Sequence, residues 1–155
     1  MATDTRPDAS LAFTRALLNA RAEARAFDQA PIDTGHLLLG LVAEPWSDAG
    51  RILAHVAVSA AVVRPQVADR GPRREGPPDE LSDEAAVVLR YARREATALG
   101  HRQLGTVHLL LGILWHERCF GAQILDRLVG LGAIDHLIVE RLQEGGELPS
   151  VAVAV

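Results

Sequence analysis

Apolar residues recur along this chain at the three- and four-residue steps of an amphipathic helix, and they do so in two blocks. The apolar stripe of the first block consists of Phe13, Leu17, Ala20, Ala24 and Phe27. This stripe predicts a helix over residues 11–27 with Ser10 as its N-cap. A second stripe follows Ser82 and predicts an equivalent helix there. Neither block shows the sustained alternation of a strand, so we expect an all-α fold.

A very apolar motif follows each first helix. It reads TGHLLLG from Thr34 and TVHLLLG from Thr106, which is 72 residues later. Because threonine is a common N-cap, the motif predicts a short second helix capped by Thr34 in one block and Thr106 in the other. In the first block Pro45 ends this helix. Further helices are predicted at 48–56, from Ser59, at 120–129 and from Asp135.

The 72-residue offset holds over more than 40 positions without a gap, which indicates an internal duplication. Residues 70–80 are rich in proline, glycine and charge, so they predict an irregular linker. The predicted boundaries are a flexible N-terminus (1–9), a first repeat (10–69), the linker (70–80), a second repeat (81–144) and a flexible tail (145–155). Each repeat is too small to be stable alone, so we expect two four-helix repeats packed about a pseudo-twofold axis.

Composition excludes several classes of function. The 16 basic residues are all arginine, the formal charge is −4, and aromatic residues make up 4% of the chain. Nucleic-acid binding therefore lacks both bulk charge and stacking platforms. Without lysine there is no phosphate-binding GxxxxGK[ST] motif, so we expect no ATP binding. One cysteine excludes an internal disulfide, and the absence of a signal peptide or a long apolar run predicts a soluble, cytoplasmic protein without membrane contact.

The combination of motifs resembles the N-terminal repeat domain of Clp-family AAA+ unfoldases. In each block an A-x-x-E-A element, at 20–24 and 92–96, precedes the T-x-H-L-L-L-G motif. The resemblance covers residues 10–144 and implies a non-enzymatic helical module that docks adaptors and substrates. Because the phosphate-binding motif is absent, the chain is expected to be a free-standing version of that module. In some members of that family the domain reads phosphorylated arginine, and some bind cyclic-peptide antibiotics.

The sequence departs from the phosphoarginine-reading members at two positions. Those members carry Glu between the Thr and the His of the motif, whereas this chain has Gly35 and Val107. Neither residue can accept a charge-assisted hydrogen bond from a guanidinium, and Asp83 would repel a phosphate. We therefore expect phosphoarginine recognition to be lost. The candidate ligand-binding residues are Ser10, Thr34, Gly35, Ser82, Asp83, Thr106 and Val107.

The remaining chemistry-bearing residues predict structural roles. His36 and His108 lie in apolar helices and are expected to be buried, without a metal or cofactor. His116 and Cys119 are expected to be a chance pair. Trp46 and Trp115 fit an interaction surface or a core equally well. The sequence predicts a non-catalytic module that binds a protein, a peptide (including a cyclic peptide) or another small molecule. Such a module would serve as an adaptor, a decoy or an antibiotic-sequestering protein. The alternative is an enzyme with its active site in the groove between the repeats.

Overall fold

The computed structural model of the protein describes residues 7–145, and the predicted all-α double repeat is confirmed. The helices of the first repeat are α1 (Leu11–Ala26), α2 (Thr34–Val42), α3 (Asp48–His55) and α4 (Ala60–Ala68). Those of the second are α5 (Asp83–Ala98), α6 (Thr106–Trp115), α7 (Phe120–Leu128) and α8 (Leu131–Gly145). The described residues also include four two-residue strands: β1 (Asp8–Ala9), β2 (Gln29–Ala30), β3 (Arg73–Arg74) and β4 (Gln103–Leu104).

The predicted serine caps are present. Ser10 Oγ accepts a hydrogen bond from the Phe13 N–H at 3.1 Å, and Ser82 Oγ accepts one from the Ala85 N–H at 3.0 Å. The predicted threonine caps are wrong, because α2 and α6 are capped by Asp33 and Gly105. Both threonines are instead the first residues of their helices, and their hydroxyls serve another purpose, described below.

The last helix begins earlier than expected. Helix α8 starts at Leu131, four residues before the predicted start at Asp135. Gly130, at φ +82°, supplies the left-handed residue that closes α7. Its N–H donates to the carbonyls of Leu125 and Asp126, both at 3.1 Å. The turn between α7 and α8 is therefore short, and α8 is longer than the pattern predicted.

Helices α2 and α6 form the centre of the molecule. Residues 34–41 of α2 are all buried, and α1 and α5 pack against α2 and α6 respectively. Gly40 allows the first of these contacts, because a Cβ at that position would lie 2.1 Å from the carbonyl oxygen of Ala16. At Gly112 the corresponding atom would lie 2.4 Å from the carbonyl oxygen of Val88. The glycine that ends each LLLG motif is thus a point of close helix–helix approach.

The short strands lie in the segments between the helices and connect the two repeats and the linker. Strand β1 pairs in parallel with β4, and β2 pairs in parallel with β3. The Ser10 N–H donates to the Leu104 carbonyl at 2.9 Å, and the Ser82 N–H donates to the Ile32 carbonyl at 2.8 Å. Each repeat therefore starts its first helix beside the residues that lead into the second helix of the other repeat.

Two of the strands lie in segments that were predicted outside the repeats. Residues 7–9, which were expected to be flexible, include β1, and the linker over 70–80 includes β3. The other expected flexible residues, 1–6 and 146–155, lie outside the described residues. Over residues 7–145, no helix is both long and apolar enough to cross a bilayer.

Candidate functional site

The predicted ligand-binding residues fall into two groups, which the strand pairings bring together. Thr34 and Gly35 at the start of α2 lie near Ser82 and Asp83 at the start of α5. Ser10 at the start of α1 lies near Thr106 and Val107 at the start of α6. The groups are related by the 72-residue offset, and each combines a first helix from one repeat with a second helix from the other.

The first group borders a cleft of about 480 Å³, which we call the linker cleft. It lies between the linker and the starts of α2 and α5. Its walls contain five carboxylates and two guanidinium groups together with apolar side chains. These residues are Pro31, Asp33, Arg70, Arg73, Glu75, Pro77, Glu80, Leu81, Asp83 and Glu84. Ser82 also lines the cleft, whereas Gly35 lies behind it and is buried.

Ion pairs fix the linker as the outer wall of this cleft. Arg74 pairs with Asp28 at 3.1 Å, and Asp79 pairs with Arg25 on α1. The Arg73 N–H donates to the Asp28 carbonyl at 3.0 Å. The linker thus follows the surface of the first repeat through both backbone and side-chain contacts.

Asp33 connects the linker with both helix starts. One carboxylate oxygen accepts from Arg70 at 2.8 Å, and the other accepts from the Ser82 hydroxyl at 3.0 Å. The Arg70 guanidinium also stacks on Phe120, 3.9 Å from the ring centroid. The ion pair and the stacking together hold Arg70 in place. Both carboxylate oxygens of Asp33 therefore have a hydrogen-bond donor within the protein.

Phe120 explains why residue 35 is glycine. A Cβ on Gly35 would lie 2.8 Å from Cδ1 of the Phe120 ring and 3.3 Å from Val67. The space that a carboxylate at position 35 would need is therefore filled by Phe120 and, behind it, Arg70. Sequence analysis did not connect Phe120 or Arg70 with position 35. The residue that corresponds to Phe120 in the first repeat is Asp48.

His36 lies at the floor of the linker cleft and is buried, as predicted. Its Nδ1 accepts a hydrogen bond from the Asp33 N–H at 2.9 Å. The neutral ring therefore carries its proton on Nε2, which donates to Gln29 Oε1 at 2.7 Å. Burial lowers the pKa of His36 to about 4, with the carboxylate of Asp33 acting in the opposite direction. His36 is thus neutral at pH 7 and has both ring nitrogens engaged.

The second group is more closed. Val107 is 1% exposed and His108 is buried. Asp48, at the position that corresponds to Phe120, pairs with Arg141 of α8 at 3.3 Å. Burial raises the pKa of the Asp48 carboxyl, and Arg141 opposes that shift. An ion pair therefore takes the place that stacked Phe120 and Arg70 hold in the first group.

The hydroxyls of the two threonines cap helices of the opposite repeat. Thr34 Oγ1 accepts from the Gly121 N–H of α7 at 2.8 Å, and Thr106 Oγ1 accepts from the Ala49 N–H of α3 at 3.1 Å. Both hydroxyls are buried. Thr34 and Thr106, which were predicted to cap their own helices, thus cap the first turns of helices in the other repeat.

We expect Thr34→Val to lower the free energy of unfolding by about 1–3 kcal/mol, because it leaves the buried Gly121 N–H without a partner at nearly constant side-chain volume. Thr106→Val should have a similar effect through Ala49. The matched control is Thr14→Val on the exposed face of α1, with an expected change within about 0.5 kcal/mol. Urea denaturation measures all three. Equal stabilities of the Thr34 and Thr14 variants would contradict the capping role.

The remaining predicted residues are placed as follows. Cys119 is buried with its thiol directed to the Ile113 carbonyl at 3.7 Å, whereas His116 lies edge-on to Tyr91. Burial raises the pKa of the Cys119 thiol, so it is a poor nucleophile. Trp46 and Trp115 are 69% and 62% exposed, which favours the surface alternative over the core. Among the described residues no cluster of three His, Cys, Asp or Glu could hold a metal ion.

Comparison with protein families gives a match over most of the chain. The family model described as Clp repeat (R) N-terminal domain matches residues 9–125 and 80–152. The ATP-dependent Clp protease ATP-binding subunit ClpA homolog of Porphyra purpurea is 29% identical over 137 residues, which are 86% of this chain. The chloroplastic chaperone protein ClpC of Pisum sativum is 29% identical over 117 residues, or 74% of this chain. This chain spans only 17% of the first relative and 13% of the second.

A solved structure has the same fold. The N-terminal domain of the caseinolytic protease associated chaperone ClpD from Arabidopsis thaliana superposes with a TM-score of 0.71 at 19% sequence identity. The match covers 87% of this chain and 94% of that domain. The likeness therefore extends over the double repeat as a whole.

Proposed function

Because the chain belongs to the Clp repeat N-terminal domain family, we propose that it is a non-catalytic docking module that binds a segment of a partner protein in the linker cleft. The observation that carries the proposal is the cleft itself. Its volume of about 480 Å³ falls within the usual range of binding sites, and Ser82 and Asp83 lie at its border. Apolar walls next to charged groups suit a polypeptide, which presents both kinds of surface.

The bonding of His36 and Asp33 supports docking over catalysis. A general base must have a free nitrogen or oxygen within reach of a substrate proton. Both nitrogens of His36 and both carboxylate oxygens of Asp33 are already bonded within the protein. The alternative, an enzyme with an active site between the repeats, would have to break these bonds before it could use either residue.

The relatives bear on the nature of the partner. Their names describe an ATP-binding subunit of Clp protease and a chaperone, and this chain matches only a small part of each. We propose that this chain contacts client or adaptor polypeptides in the cytoplasm. Roles as an adaptor, as a decoy or in sequestering a cyclic peptide or another small molecule are narrower versions of the same proposal. The second group of candidate residues, Ser10, Thr106 and Val107, is buried, so the proposal is confined to the linker cleft.

The test uses an array of overlapping 15-residue peptides from casein, an unfolded protein, probed with this protein and two charge-reversal variants. Asp83→Arg changes the border of the cleft, whereas Glu117→Arg changes an exposed carboxylate at the far end of α6. We expect Asp83→Arg to weaken the strongest peptides tenfold or more and Glu117→Arg to leave them unchanged. Equal effects, or no peptide bound by the natural protein, would refute docking in the linker cleft.

We also expect a phosphoarginine peptide to bind no more tightly than its unmodified form. Positions 35 and 107 lack the carboxylate, and the space beside Gly35 is filled by Phe120. Asp83 and Glu84 add two negative charges at the start of α5, which oppose a phosphate. Isothermal titration of the paired peptides measures the ratio of dissociation constants. Tight, phosphate-dependent binding would show that other residues recognise the modified arginine.

A further inference from the structure

The second repeat contains a histidine pair where the first repeat has a histidine and a glutamine. His108 Nδ1 accepts from the Gly105 N–H at 2.8 Å, as His36 does from Asp33. The proton of neutral His108 is therefore on Nε2, which lies 2.8 Å from His101 Nδ1. His101 occupies the position that corresponds to Gln29, and its Nδ1 must be unprotonated to accept this bond.

Protonation affects the two arrangements differently. A proton taken up by His101 goes to Nδ1, so that two N–H groups then face each other across 2.8 Å and the bond becomes a repulsion. Gln29 cannot titrate, and its amide is anchored by bonds to the carbonyls of Val67 at 3.0 Å and Gly71 at 2.9 Å. Only the second repeat therefore has an acceptor that acid converts into a donor.

The surrounding charges do not relieve this repulsion. Asp33 and Glu23 both favour protonated His36 in the first repeat, with Arg70 opposing them. The charged neighbour that acts on His108 is His101, and its effect is to lower the pKa of His108. Asp8 on β1, Arg102 next to β4, Glu95 on α5 and Arg141 on α8 do not contribute to that shift. Among the described residues, no carboxylate is a cause of the pKa shift of His108.

The pair holds the segment that carries β4. His101 and His108 lie on either side of β4, and β4 binds the N-terminal strand β1. The Asp8 N–H donates to the Arg102 carbonyl at 3.2 Å, and the Ser10 N–H donates to the Leu104 carbonyl at 2.9 Å. The histidine bond therefore joins the two ends of the segment to which β1 and the start of α1 are bonded.

We infer that His101 and His108 form an acid-sensitive latch that opens the β1–β4 pair on protonation, while the equivalent bridge between Ile32 and Leu81 stays closed. The geometric basis of the latch is the hydrogen bond of 2.8 Å between the two imidazoles, which the first repeat replaces with a bond between His36 and Gln29. The inference concerns local opening and holds whether or not the linker cleft docks a polypeptide.

Amide hydrogen exchange at pH 7 and pH 5, corrected for intrinsic exchange rates, tests the latch in the full chain. The readout is the protection of the Ser10 amide divided by that of the equivalent Ser82 amide, a ratio that cancels effects common to both repeats. We expect this ratio to fall about tenfold or more between pH 7 and pH 5. An unchanged ratio in the natural protein would overturn the inference.

Two reciprocal variants provide the controls. His101→Gln gives the second repeat the acceptor of the first, so the fall in the ratio should disappear. Gln29→His gives the first repeat the pair of the second, so the Ser82 amide should become acid-sensitive. If His101→Gln does not fold, Gln29→His decides alone. A fall that persists in His101→Gln, or Ser82 protection that is unchanged by Gln29→His, would exclude the histidine pair as its cause.

Discussion

Lowering the pH from 7 to 4 should reduce the free energy of unfolding by about 6 kcal/mol through His36 and His108 alone. Burial lowers the pKa of each to about 4, whereas in the unfolded chain each returns to about 6.5. The unfolded chain therefore binds these protons first, so stability is complete above pH 6.5 and falls as the pH approaches 4. One pKa unit corresponds to about 1.4 kcal/mol, which gives about 3 kcal/mol for each histidine.

Urea denaturation at half-unit steps of pH measures this slope, and variants separate it from the titration of carboxylates. His36→Gln and His108→Gln should each reduce the loss of stability between pH 7 and pH 4 by about 3 kcal/mol, and the double variant should reduce it by about 6 kcal/mol. Lower stability of the variants at pH 7 does not affect the comparison, because the readout is the dependence on pH. If the free energy of unfolding of the variants depends on pH as strongly as that of the natural protein, the buried histidines are not the acid-sensitive groups.

Gly40→Ala should destabilise the protein by about 3 kcal/mol or more. The new methyl group would lie 2.1 Å from the Ala16 carbonyl oxygen, which is backbone and cannot rotate away, so α1 and α2 would have to separate. Insertion of a methyl group into a tightly packed core usually costs about 1–3 kcal/mol, and this contact is closer than most. Gly112→Ala should have a similar effect on the contact between α5 and α6.

The matched control for Gly40 is Gly132→Ala in the exposed first turn of α8. A Cβ at Gly132 meets no atom within 4 Å, so alanine should leave the stability unchanged or raise it by up to about 1 kcal/mol through its helix propensity. Thermal and urea unfolding of the two variants give the comparison. A Gly40→Ala protein as stable as the Gly132→Ala protein would mean that the helices do not approach as closely as described.

The helices were predictable because their signals are local. The apolar stripes and the serines before α1 and α5 are contained in single segments, and the 72-residue offset extends each assignment to the other repeat. Burial of His36 and His108 follows in the same way from the apolar motif around them. The start of α8 could have been found from Gly130, a left-handed residue that closes α7.

The site was less predictable because its contacts join distant segments. Thr34 resembles a cap for its own helix, and nothing near it in the sequence points to Gly121, 87 residues away. Gly35 was interpreted as a lost carboxylate, but its neighbour in space is Phe120 of the other repeat. Asp33 and Arg70 lie 37 residues apart, and no local pattern predicts the ion pair that they form in the wall of the linker cleft.

The reciprocal contacts of Thr34 and Thr106 have a consequence for the origin of the molecule. Each repeat supplies a hydroxyl to a helix of the other and receives one in return. The β1–β4 pair and the bridge between Ile32 and Leu81 follow the same exchange. This is the symmetry of an isologous homodimer, in which residue i of one subunit meets residue j of the other and the reverse. A chain with a single repeat could satisfy these bonds only by associating with a second copy of itself. The linker thus joins covalently two halves that would otherwise be identical subunits. It also allows each half to carry its own residues at equivalent positions, such as Gln29 in one and His101 in the other.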